Sequence, residues 1–106
     1  MKVEKLKDGE FGHVMAIRNP DCDFKRETNI SHKLKASDDF EWGYGGAGPS
    51  DFAINILFHF TNGDEAFSRK HYMEFRDEFV AQLPRAGGTI HKESILEFIE
   101  KKKRQS

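Results

Sequence analysis

The sequence predicts an α+β domain in which a small antiparallel sheet packs against three helices. Three observations carry that expectation. Strand-like alternation is confined to the first third of the chain, apolar residues recur at helical spacing through the second half, and a glycine–aromatic segment separates the two. With 106 residues the chain has room for one domain. It divides into a mainly β part (1–36), a glycine and aromatic loop (37–48), a helical part (49–100) and a basic tail expected to fray (101–106).

Residues 2–17 are expected to form a β-hairpin around Asp8-Gly9, a dipeptide suited to a type I′ turn because both central positions need positive φ. After it, Phe11, His13, Met15 and Ile17 alternate with Gly12, Val14 and Ala16, and the first set forms the apolar face of a strand. Asn19-Pro20 ends that strand, since proline cannot donate to a ladder. Residues 21–27 are polar and read as loop, while Ile30, His32 and Leu34 alternate as a short third strand.

A helix is expected from about Pro49 to Thr61. Proline suits its first turn, and Phe52, Ala53, Ile54, Ile56, Leu57, Phe58 and Phe60 cover most of its circumference, the pattern of a buried central helix. Asn62-Gly63 closes it. A second helix runs over 65–83, with Asp64 as N-cap, a core face of Phe67, Tyr72, Phe75, Phe79, Val80 and Leu83, and Pro84 as its stop. Residues 85–88 read as a turn. A third helix follows over 92–102, buried through Ile95, Leu96, Phe98 and Ile99, with Ile90 and Ile95 as a hydrophobic staple around His91.

Composition excludes more functions than it names. Seventeen Lys and Arg stand against eighteen Asp and Glu, which rules out a polycation held on DNA by bulk charge and makes nucleic acid an unfavoured partner. No apolar run approaches the roughly 20 residues that span a bilayer, so no membrane role is expected. The single cysteine, Cys22, has no internal disulfide partner, and a cytoplasmic setting is the expectation. Ten of the thirteen aromatics are Phe, enough to build a core without metal or disulfide support.

The run Gly43-Tyr44-Gly45-Gly46-Ala47-Gly48 is the one segment whose composition demands an explanation. It satisfies G-x-G-x-x-G literally, but no apolar strand precedes it and no βαβ unit follows; the P-loop pattern fails because Pro49 stands where its lysine belongs. Two uses remain. Trp42 and Tyr44 offer exposed aromatic groups to a partner, or the amides of Gly45, Gly46 and Gly48 at a helix N-terminus hold a small anion, with Asp51 in the first turn opposing it. Asp51, Asn55 and His59, spaced at i, i+4 and i+8, form a polar stripe on the apolar helix. That stripe is either a solvent-facing side, a hydrogen-bonded seam against the loop, or a ligand-orienting row. No metal-ligand spacing accompanies it or the nearby His32 and His71, so neither metal nor cofactor is expected. Nor is any catalytic set legible: Cys22 has acidic neighbours that raise a thiol pKa, and Ser50 lacks a hydrolase elbow.

The run from Phe40 to Pro49, followed by Asp51-Phe52-Ala53-Ile54-Asn55-Ile56-Leu57 and later by Leu83-Pro84-Arg85, resembles a family of small proteins from bacteria, archaea, phages and mobile elements. In that family a W-G-Y-G-G-S/A-G-P run leads into an apolar helix, and a Leu-Pro-Arg turn precedes a short C-terminal helix. Gly88 stands where the family has a bulky aromatic. The resemblance implies no assigned activity; it implies a small accessory or counter-defence protein. Together these readings favour a non-enzymatic binding protein that contacts another protein through Trp42, Tyr44, Gly45, Gly46, Gly48, Asp51, Asn55 and His59. The alternative is a small anion- or nucleotide-binding domain.

Overall fold

The computed structural model describes residues 3–19, 25–34 and 39–105. Along the chain come β1 (Val14–Asn19), β2 (Lys25–Thr28), α1 (Ala47–Phe60), α2 (Glu65–Phe75), a π-helical stretch continuing it (Arg76–Val80), β3 (Gly87–Ile90) and α3 (Lys92–Gln105). The three strands form one antiparallel sheet in the order β2-β1-β3. The expected α+β architecture is therefore present, but its sheet is assembled differently.

Asp8-Gly9 does turn, with Gly9 at φ +82° and the Glu10 amide bonded to the Lys7 carbonyl, yet the flanking arms do not pair. The Leu6 amide donates instead to the Asn29 carbonyl at 2.8 Å. β1 starts at Val14, and its core face is Val14 and Ala16, opposite to the expected phase. Ala16 pairs with Thr28 on one side and Gly88 on the other, Val14 pairs with Ile90, and these inward residues are buried, whereas Met15 is 41% exposed. His13 is likewise exposed. Phe11 reaches the core from outside the ladder, stacked on Phe60 at 5.2 Å.

The segment expected to be loop contains β2, and Ile30, His32 and Leu34 do not form a strand. The C-terminal part of the expected 21–27 loop pairs because its inward Arg26, opposite Arg18, has carboxylates to meet beneath the sheet. Pro20, Cys22 and their neighbours over 20–24 lie outside the described residues, as do 35–38. The third strand comes from the turn expected at 85–88. Gly87, at φ +119°, runs so close to β1 that a Cβ would stand 2.1 Å from the Ala16 carbonyl oxygen. The glycines that signal a turn in sequence are what let β3 approach.

α1 lies at the centre, with Pro49, every residue from Asp51 to Leu57, and Phe60 buried. It begins at Ala47, two residues before the expected start, and Asn62 (φ +55°) and Gly63 (φ +90°) close it, the Gly63 amide reaching back to the Phe58 carbonyl at 2.8 Å. Asp64 caps α2 as expected, its Oδ1 accepting from the Phe67 amide at 3.0 Å. The α-helical part stops at Phe75. Over Arg76–Val80 the turns widen, the Ala81 amide bonding five residues back to Arg76 at 2.7 Å. Trp42, Phe52, Phe75, Ile56, Leu57, Ile95 and Val80 form the core with Val14 and Ile30 of the N-terminal part.

α3 buries Ile95, Phe98 and Ile99, and Ile90 and Ile95 are both buried at its start, as a staple requires. Leu96, expected in that face, is 39% exposed. The basic tail is helical through Gln105 rather than frayed, because Lys102 folds onto Glu74 of α2 and over the Phe98 ring. The Cα radius of gyration, 12.9 Å, is that of a single domain of this length. No described helix is long and apolar enough to cross a membrane.

Candidate functional site

The glycine–aromatic segment runs between the sheet, the π-helical stretch and the start of α1, and its two aromatics part company. Trp42 is 1% exposed. Its indole Nε1 donates to the Arg85 carbonyl at 3.1 Å, the Arg18 guanidinium lies over its ring at 5.1 Å, and Phe52 packs at 6.0 Å. Glu41 sits between the guanidinia of Arg18 and Arg26, and Arg26 continues to Asp39 at 2.6 Å. The Asp39 bond first, and Glu41 with it, hold the Arg26 guanidinium above its ordinary pKa against the opposing effect of burial. Trp42 is thus a strut clamped at both ends, and the expectation that it faces a partner is overturned.

Tyr44, two residues on, is 48% exposed. Its ring lies over Gly46, where a Cβ would stand 2.6 Å from Tyr44 Cε2. Gly43, at φ +88°, turns the chain outward between them and donates its amide to the Val80 carbonyl at 3.1 Å. Gly48 packs the first turn of α1 against Glu41, with space for no side chain: a Cβ would meet Glu41 Cβ at 2.6 Å. Of the expected contact residues in this run, only Tyr44 and Gly45 face solvent, joined by Ala47.

The polar stripe of α1 is a seam. Asp51 is fully buried and its carboxylate meets His32 Nε2; the His32 ring stacks on Phe40 at 4.2 Å. Asn55 makes four bonds: its Oδ1 accepts from the Lys33 and Leu34 amides, each at 2.7 Å, and its Nδ2 donates to the Leu34 carbonyl at 2.6 Å and the Asp51 carbonyl at 2.8 Å. His59 Nε2 lies 2.6 Å from the Glu10 carbonyl. One turn after another, the stripe fastens the N-terminal segment to the central helix. Asp51 is also the fifth residue of α1, past the first turn, so it does not sit on the helix N-terminus as expected. Among the described residues the stripe gathers no three-ligand metal group with His32 or His71. His71 packs on Phe67, and burial first, then the Lys70 charge, pushes its pKa below 6.5.

Residues that the sequence does not single out lie on α2 and on the π-helical stretch that continues it. Arg69, Tyr72 and Arg76, spaced at i, i+3 and i+7, face the start of α1, and Met73 beside them is 54% exposed. Ala47, Ser50, Asp51, Ile54, Arg69 and Tyr72 border a cleft of about 260 Å³. Arg76 Nη1 donates to Ser50 Oγ at 2.9 Å and its Nε to Asp77 at 2.8 Å, and Gly45 lies beside that guanidinium. The signal is present in the helical spacing, but Tyr72 fits the apolar core face of the helix and so does not mark an outer site.

A family model described as a family of unknown function, DUF6166, matches residues 6–101, and the chain belongs to that family. No curated protein and no solved structure matches it.

Proposed function

We propose that this member of DUF6166 is a binding protein that acts without catalysis, contacting another protein through the face built by Tyr44, Gly45 and Ala47 with Arg69, Tyr72, Met73 and Arg76. The observation that carries this reading is Tyr44, an aromatic side chain about half exposed whose ring lies against Gly46. Tyr, Met and Arg are the side chains enriched at protein interfaces, and a residue already fixed in the free protein loses little entropy on docking. The near balance of charge disfavours nucleic acid as the occupant. A cytoplasmic setting goes with the lone cysteine, and an accessory or counter-defence role is the one this reading gives to a small protein that acts by binding.

Affinity capture from the cells that encode the protein tests the proposal. The wild type and Leu96→Ser, a change at an exposed apolar residue of α3, should retain the same partner. Tyr44→Ala and Met73→Glu should lose it while unfolding at the same temperature as the wild type. Retention of every partner by both variants contradicts the reading. So does a rise in unfolding temperature with phosphate or nucleotides and no captured protein, the outcome that a small-anion site gives.

A further inference from the structure

Continuing the β1–β3 ladder one position beyond the Val14–Ile90 pair sets His13 opposite His91. The two rings meet edge to face, with centroids 5.0 Å apart and planes at 80°. Glu93, in the first turn of α3, brings its Oε1 to 4.0 Å from His13 Nδ1. One ligand atom from each of the three residues lies within 4.8 Å of the others, and all three residues are exposed. We infer that His13, His91 and Glu93 form a surface site for a divalent cation of the zinc class.

The donor set suits that class. Two imidazole nitrogens and one carboxylate oxygen favour zinc and its late first-row neighbours, whereas magnesium prefers oxygen ligands alone. Bonds of about 2.1 Å in tetrahedral array put ligand atoms roughly 3.4 Å apart. The side chains therefore close by up to about 1.4 Å around the ion, through rotation of exposed χ angles. Each histidine directly adjoins the end of the ladder, the His13 carbonyl accepting from Asn29 Nδ2 at 2.8 Å, and the helix fixes the glutamate. Three protein ligands leave a fourth position open toward solvent.

One existing bond responds to the ion. The Lys92 amide, at the start of α3, donates to His13 Nδ1 at 3.0 Å. A cation that takes the Nδ1 lone pair displaces that amide, which water then satisfies at the exposed helix end. Binding at these ligands thus leaves a mark on a backbone group that a merely adventitious ion elsewhere does not touch.

The test is calorimetric titration of the untagged, chelator-treated protein with zinc chloride, with magnesium chloride as a second arm. The wild type and Cys22→Ser should bind one zinc per chain and no magnesium. His91→Ala and Glu93→Gln should each weaken zinc roughly tenfold or more. Unfolding temperatures measured with chelator present show that these variants remain folded; Glu93→Gln, at a largely exposed side chain, serves if His91→Ala does not. Zinc should also speed hydrogen exchange at the Lys92 amide. No saturation below about 1 mM zinc, equal affinity in the folded variants, or loss only in Cys22→Ser overturns the inference.

Discussion

Trp42 and Tyr44 stand two residues apart in one glycine-rich segment, and the chain uses them in opposite ways. Trp42 points inward, its indole bonded to the Arg85 carbonyl and covered by Arg18, and on the same side the stripe of α1 fastens residues 10 and 32–34. Tyr44 points outward over Gly46, and the adjoining Gly45 lies beside Arg76 of the π-helical stretch. The difference teaches that polarity in sequence was a poor guide to exposure. The polar residues of the apolar helix are internal fastenings, and the outward face carries exposed aromatic and sulfur-containing side chains among its arginines.

The largest effects should separate the two sides. Trp42→Ala should destabilise by about 3–5 kcal/mol in urea unfolding, against less than about 0.5 kcal/mol for Tyr44→Ala. Comparable losses would erase the comparison. Asn55→Ala strips partners from two amides and a carbonyl of residues 33 and 34, and should cost about 1–3 kcal/mol. It should also speed hydrogen exchange at Lys33 and Leu34 before the rest of the chain.

Gly46→Ala probes the outward side more finely. Gly46 has extended backbone (φ −158°), so alanine meets no conformational strain there, but its Cβ takes the space under the Tyr44 ring. Stability should change by less than about 1 kcal/mol, while partner capture should fall as it does for Tyr44→Ala. Capture unaffected by Gly46→Ala would show that Tyr44 needs no fixed position.

The smallest effect concerns pH. The folded protein holds His71 below its ordinary pKa of 6.5, chiefly by burial, so the unfolded chain binds more protons between the two values. Stability from this group is therefore full above about pH 6.5 and declines as the pH falls through that window toward the folded pKa. His71→Gln should flatten the fall in urea midpoint between neutral and mildly acidic buffer. An unchanged slope would remove His71 from the account.

Much of the helical half was legible in the sequence, for reasons that are local. α1 announces itself by apolar residues around its whole circumference, and Asp64 and Asn62-Gly63 are end signals that act within a turn. The sheet was less legible because its pairings join residues far apart in sequence. β2 reads as a charged loop until Arg26 meets Asp39 and Glu41, and β3 reads as a turn until Gly87 lies against Ala16. The phase of β1 was inverted for the same reason: Val14 and Ala16 are small, and only the partners Ile90, Thr28 and Gly88 mark their side as the inner one. The stripe is legible as a row of three polar groups, and it does form a hydrogen-bonded seam, but against residues 10 and 32–34 rather than against the glycine loop. The α2 face was missed because Tyr72 fits a core pattern equally well, and only the packing of Ala47 and Ser50 beside it reveals the cleft.

Trp42 is the only tryptophan in the chain, so its fluorescence reports on the inward side alone. Acrylamide quenching of that emission in the native protein and in urea tests the division of the glycine segment most directly. A buried Trp42 gives blue-shifted emission and weak quenching in the native state, with full quenching on unfolding, and the same native protection in Tyr44→Ala. Native quenching as strong as that of the unfolded chain would place Trp42 at the surface and contradict the separation of a structural inner side from a binding outer one.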